Sequence, residues 1–347
     1  MLRRSRLVAA TALAVAVVAP ASAAAVSATS VPPGSRAESP AAESPATVVD
    51  GVWSYTDGSG RTTTLDEVPE RIVMHSGAAA ALIPLGIRPV AVFADDNVDA
   101  DPYLRGVDLE GIEIVGEEWG VINLEAVAAL EPDLVIAEYW PVEDGYSGME
   151  ESTGNGYELM TDIAPVVGPA QGPSVVAMIE DFENLAVSLG ADLDAADLAG
   201  ERVRFEAAVA AFSAAVEAKP GLTVLAVAPT TEGLYVAVPE NAAELADFMS
   251  WGLDIVVPDP DPEFPYWQQL SWEQADLYQA DVIIVDDRSP ESIDVAEEQP
   301  TWDLLDAVRA GAVADWPAFR LRNYSAYADA LEALTGVIDA ADPDLVD

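Results

Sequence analysis

Two stretches in which short apolar runs alternate with helical patterns are separated by a segment, Val175 to Glu217, that carries no strand signal. That interruption restricts the possible folds more than any other feature. Apolar runs of this kind alternating with helices predict mostly parallel strands covered on both faces. A strandless segment in the middle predicts two α/β lobes joined by a helical connector. The first lobe, residues 51–173, reads as a hairpin from Trp53 to Thr64, a strand Arg71 to Met74, a helix Ala78 to Leu85 closed by Gly86, strands Pro89 to Phe93 and Ile112 to Val115, a helix Leu124 to Leu130 and a strand Leu134 to Ala137. The connector, residues 174–219, reads as two amphipathic helices broken at Gly190-Ala191-Asp192 and ended by Lys219-Pro220-Gly221. In the second lobe, residues 220–347, strands are expected at Thr223 to Ala228, Leu234 to Val238, Ile255 to Val257 and Val282 to Val285, with helices at Ala242 to Trp251 and Trp272 to Tyr278.

Ahead of the lobes, Arg3, Arg4 and Arg6 precede an apolar run from Val8 to Ala19, then Pro20 and Ala21-Ser22-Ala23. This is the layout of a signal peptide over residues 1–23, and the run is too short to span a bilayer. Residues 24–50, rich in Ala, Pro, Ser and Glu, read as a disordered tether. The chain contains no cysteine, so no lipid anchor can be attached to one, and a soluble extracytoplasmic product is expected.

Composition removes whole classes of chemistry. Without cysteine there is no disulfide frame, Cys-ligated zinc or thiol nucleophile. One histidine, His75, rules out a multi-histidine metal site and leaves any Ser-His-Asp triad to that residue alone. With 15 Lys+Arg against 61 Asp+Glu, a net charge of −46, the chain is repelled by nucleic acid. No nucleophile elbow, phosphate loop or dinucleotide fingerprint is present. An extracytoplasmic hydrolase is therefore the weaker alternative to a binding protein.

The two lobes echo each other. Asn123-Leu124-Glu125 opens a helix that leads to Asp133 and an apolar strand; Ser271-Trp272-Glu273 opens another that leads to Asp281 and its strand, at the same offset (273 − 125 = 281 − 133 = 148). Together with Asp57-Gly58-Ser59-Gly60-Arg61-Thr62, Pro69-Glu70-Arg71-Ile72-Val73, Leu85-Gly86-Ile87-Arg88-Pro89-Val90, Ile163-Ala164-Pro165-Val166 and Leu270-Ser271-Trp272-Glu273, these segments resemble the substrate-binding proteins of ABC importers for ferric siderophores, haem and vitamin B12. The resemblance implies two three-layer lobes with mostly parallel sheets, joined by a long rigid helix, with the ligand in the cleft between them. The later connector helix, Ala195 to Ala218, is the expected bridge because it leads straight into the second lobe. The resemblance also implies a non-catalytic monomer that delivers its cargo to an ABC permease dimer in the cytoplasmic membrane. It assigns Glu125 and Glu273 to permease docking. A carboxylate in a first helical turn also simply complements the helix dipole, so that plainer role stays open for both.

Ligands of α/β sheets sit at the carboxyl ends of the strands. Those loops supply His75, Ser76, Asp96, Tyr103, Arg105, Tyr139 and Trp140 from the first lobe, and Glu232, Tyr235, Phe264, Tyr266, Trp267 and Arg288 from the second. The recurring aromatics suit a bulky, partly apolar ligand. A ferric siderophore fits, because its iron arrives fully chelated and needs neither a cofactor nor a protein metal ligand. The strong negative charge favours a neutral or cationic hydroxamate over an anionic catecholate. Haem and vitamin B12 remain alternative cargoes.

Overall fold

The computed structural model describes residues 45–150, 153–194, 196–259, 265–288 and 292–346. The expected signal peptide, the tether as far as residue 44, and Phe264 lie outside the described residues. The tether's end differs from expectation. Residues 46–49 form strand β1 (Ala46–Val49), antiparallel to β2 (Val52–Thr56), which pairs in turn with β3 (Thr62–Leu65). Asp50 and Gly51, at φ 53 and 86, adopt the left-handed conformation of a tight two-residue hairpin turn. An Asp-Gly pair beside Thr-Val-Val was the signal for it.

The first lobe continues through β4 (Ile72–His75), α1 (Ser76–Leu82), β5 (Ala91–Ala94), β6 (Glu113–Glu117), α2 (Leu124–Ala129), β7 (Leu134–Ile136), a small hairpin of β8 (Tyr139–Trp140) and β9 (Gly145–Tyr146), α3 (Gly156–Thr161) and β10 (Val166–Val167). Its sheet has the order β10-β7-β4-β5-β6, parallel throughout. All residues of β4, β5 and β7 are buried, as expected for strands covered on both faces. The connector consists of α4 (Val175–Ser188) and α5 (Ala196–Glu217).

The second lobe contains β11 (Thr223–Pro229), β12 (Leu234–Ala237), α6 (Ala243–Ser250), β13 (Asp254–Ile255), β14 (Trp267–Leu270), β15 (Val282–Asp286), α7 (Ser292–Glu297), α8 (Asp306–Ala310), β16 (Val313–Trp316) and α9 (Tyr324–Ala340). Its sheet runs β14-β12-β11-β15-β16, with β13 also on β11; β12 is antiparallel to both neighbours and the other pairings are parallel. The helix expected from Trp272 is a tighter 3₁₀ segment, Trp272–Leu277.

The lobe-to-lobe echo has a structural counterpart. Asp133 accepts from the Arg71 N–H at 3.0 Å and donates its own N–H to the Arg71 carbonyl. Asp281 does the same with Thr223, at 2.7 Å and 3.1 Å. In each lobe an aspartate ahead of one core strand ties down the start of its neighbour, β4 or β11.

The bridging helix is α4, not the later one. At its start, Val175 donates its N–H to Asp247 on α6 of the second lobe at 2.9 Å. Further along, Asp181 accepts from the Tyr55 hydroxyl at 3.1 Å, and Ser188 accepts from the Trp53 indole at 2.9 Å, both on β2 of the first lobe. Helix α5 instead lies along α9, with Arg204 paired to Asp329 and Glu332. The buried face of α4, including Met178, Ile179 and Phe182, belongs to one apolar core that contains Met74 and Ile136 of the first lobe and Leu245 and Phe248 of the second. The outer layer of each sheet has a separate core of its own. Lobes that share a core cannot swing apart without exposing it, so the cleft is set by packing and not by a flexible hinge.

Candidate ligand-binding cleft

Sheet order places three strand ends side by side. His75 ends β4, Asp95 follows β5 and Glu138 follows β7, and the order β7-β4-β5 lines them up with His75 in the middle. His75 Nδ1 lies 3.1 Å from Glu138 Oε2 and its Nε2 lies 3.2 Å from Asp95 Oδ2. Burial alone would discharge the imidazole, but the charge of Asp95 and then Glu138 outweigh it and raise its pKa to about 10. The shift favours the imidazolium form, with the two ring nitrogens facing the two carboxylates, while the Gly77 N–H also points at Nδ1 from 3.3 Å. The second lobe completes the row: Arg322 Nε donates to Glu138 Oε1 at 2.7 Å, with both side chains sealed from solvent. Burial would raise the Glu138 carboxyl, yet Arg322 and His75 hold it down to about 2.

A second crossing runs through Phe319. Its carbonyl accepts from the Tyr103 hydroxyl at 3.0 Å and from the Gln171 amide at 3.2 Å, both in the first lobe, while its N–H donates to Glu244 on α6. Its φ of 57 is left-handed, an uncommon state for a bulky residue, held here by bonds on both sides of the peptide. Its ring meets Trp140 at 5.6 Å and Tyr266 at 5.8 Å, and the Arg288 guanidinium lies over it at 4.9 Å.

In front of this row opens a cavity of about 390 Å³. Its aromatic wall comprises Tyr103, Trp119, Trp140, Tyr266, Trp267 and Phe319, from both lobes. Its charged groups are Asp95, Asp96, Asp101, Glu143 and Glu150 against Arg288, whose guanidinium is already paired with Asp286 at 2.6 Å.

Of the residues predicted from sequence, Asp96, Tyr103, Trp140, Tyr266, Trp267 and Arg288 line this cavity. His75 and Ser76 are fully buried behind it, so His75 positions Asp95 and does not itself face the cavity. The other four lie away from this cavity. Arg105 is exposed beside a separate depression, because the 3₁₀ turn Pro102–Leu104 directs Tyr103 to the cleft and Leu104 to the core, leaving the next residue outside. Tyr139 neighbours Trp140 on β8, where successive side chains point to opposite faces. It lines a different cavity with Tyr146 and donates to Asp144. Glu232 is exposed in the β11–β12 turn, and Tyr235 stands behind the cavity wall with its ring 6.5 Å from that of Trp267. The sequence reading missed Phe319 and Arg322, whose position depends on the fold of the last third of the chain. It also missed Glu143, Ser147 and Glu150, which sit on and after a hairpin too short to show periodicity.

Glu125 and Glu273 are both exposed. Glu125 follows β6, and Glu273 follows β14, whose last residue, Leu270, registers through Leu234 with Pro229 at the end of β11. Each glutamate thus stands in the first turn of the helical segment that follows an edge strand of its sheet. The Glu273 carboxyl is lowered by its own backbone N–H and then by Ser271, at the first turn of the 3₁₀ segment.

Residues 72–318 match the family described as periplasmic binding protein. Among solved structures, DesE, a ferric-siderophore receptor protein from Streptomyces coelicolor, superposes with a TM-score of 0.76 at 30% identity, covering 84% of this chain and 99% of that one. The siderophore periplasmic binding protein from the fuscachelin gene cluster of Thermobifida fusca gives 0.57 at 25% identity, covering 78% and 97%. Staphylococcus aureus SirA, complexed with staphyloferrin B, gives 0.57 at 22% identity over 84% and 99%, a likeness of fold alone. A curated polyribonucleotide nucleotidyltransferase of Crocosphaera subtropica is 28% identical over 143 residues, 38% of this chain and 20% of that protein. The chain spans about a fifth of that relative's length, a match too short to extend its activity here. Among the described residues no helix is long and apolar enough to cross a membrane.

Proposed function

Because the chain belongs to the periplasmic binding protein family, we propose that it captures a ferric siderophore between its lobes, outside the cytoplasmic membrane, and delivers it to an ABC permease dimer. The observation that carries this reading is the cavity wall, six aromatic side chains from two lobes around about 390 Å³, a volume within the range of small-molecule sites. Aromatic faces suit the apolar skirt of a chelate. The carboxylates around them, facing one already paired arginine, disfavour a polyanionic catecholate and favour a neutral or cationic hydroxamate. The names of DesE and of the Thermobifida protein support a siderophore as the cargo, without specifying its chelating group. The role is binding and delivery, not catalysis.

The docking role of Glu125 and Glu273 is supported by their exposure and by their matched places in the first helical turn after an edge strand of each sheet. Tryptophan-fluorescence titration with ferric hydroxamates, ferric catecholates, haem and cobalamin tests the cargo, since Trp119, Trp140 and Trp267 line the cavity. Saturable quenching by hydroxamates is expected; tight binding of a catecholate with none of a hydroxamate refutes the assignment. Replacing both glutamates by alanine is expected to leave that titration unchanged and to abolish delivery to permease-bearing vesicles.

A further inference from the structure

The cavity wall contains oxygen atoms that the protein itself leaves unpartnered. Glu150 is only 7% exposed; its Oε1 accepts from the Gly148 N–H at 3.2 Å, while its Oε2 is sealed and has no protein partner. Asp95 engages His75 through Oδ2, and its Oδ1 is likewise buried and unpartnered. The two carboxylates flank one glycine: a Cβ added to Gly148 would lie 3.4 Å from Asp95 Oδ1. From the opposite lobe Tyr266 brings a buried hydroxyl with no partner, and burial, then the charges of Glu143 and Glu150, raise its pKa. All three residues line the same cavity.

Buried polar atoms are rarely left unsatisfied, and each exception calls for a reason. A metal ion does not supply one, since among the described residues no three acidic or imidazole side chains are arranged to hold a metal. Arg288 does not either, being committed to Asp286. The chemistry that fits two carboxylates and a hydroxyl is a compact cation with several hydrogens to donate. A primary ammonium has three donors and no acceptor.

We propose that Asp95, Glu150 and Tyr266 form a subsite for a primary ammonium group on the ligand, so that the preferred cargo is a ferric chelate bearing a free amine. This rests on the reading of the cleft as a chelate site. Burial raises the Glu150 carboxyl to about 7, with the Asp95 charge adding to the shift and His75 opposing it. An ammonium beside it restores the ionised form.

The test compares two ligands differing only at the amine: a linear ferric trihydroxamate with a free terminal amine, and the same chelate N-acetylated, each titrated by tryptophan fluorescence. The wild-type protein is expected to prefer the free amine by about tenfold or more, a difference of about 1.4 kcal/mol. Glu150→Gln is expected to reduce that ratio below about threefold, and Tyr266→Phe to reduce it independently. Tight and equal binding of both chelates by the wild type overturns the subsite but leaves the chelate reading standing. A ratio unchanged in both variants also overturns the subsite. Binding of neither chelate overturns both readings.

Discussion

Glu138→Gln is the most informative single perturbation, because this carboxylate joins the lobes and holds two buried cations. The substitution preserves shape and removes only the charge. A carboxyl held at about 2 instead of its ordinary 4.5 is stabilised in its ionised form, net of burial, by about 3 kcal/mol at about 1.36 kcal/mol per pKa unit. Losing that charge also strands Arg322, which is completely buried, 2.7 Å from the former carboxylate. Removing one partner of a buried pair costs about 3–5 kcal/mol, consistent with the first figure. Guanidinium unfolding at pH 7, followed by tryptophan fluorescence and extrapolated to water, is expected to show a loss in that range. Adding Arg322→Met to Glu138→Gln removes the stranded charge, and the double variant is expected to recover at least half of the loss. A single variant within about 1 kcal/mol of wild type, or a double variant whose loss equals the sum of the two single losses, refutes the view that the paired charges act as a unit.

Two further outcomes follow from the same row of strand ends. The His75 pKa is raised in the folded protein, so its contribution is complete below about 6.5 and is lost as pH climbs through about 10. Unfolding free energy is expected to fall between pH 7 and 10, and His75→Gln to flatten that decline; parallel curves for the two proteins would contradict the assignment. Gly77→Ala drives a Cβ into the Glu138 carboxylate and is expected to destabilise by about 3 kcal/mol, whereas Gly336→Ala, on an open face of α9, is expected to stabilise by about 0.5–1 kcal/mol. Thermal unfolding of both variants checks the pair, and a Gly77→Ala protein as stable as wild type would mean the carboxylate is free to move.

The sequence by itself determined the α/β class, the two-lobe division and the helical connector, because these depend on hydrophobic period and on breakers such as Gly190 and Pro220, which act locally. It also displayed the equal offset between the segments that carry Glu125 and Glu273, since a duplicated motif is visible along the chain. Only the tertiary structure decided which connector helix bridges the lobes, because Asp247, Tyr55 and Trp53, which hold α4, are remote from it in the chain. It alone decided which loop residues face the cavity, since adjacent side chains on a strand point opposite ways and Tyr139 cannot be told from Trp140 until the face is known. Glu138 and Arg322 stand 184 positions apart, and no local pattern marks either as the other's partner. That pairing exists because strand order and a shared core bring two distant strand and loop ends within hydrogen-bond reach.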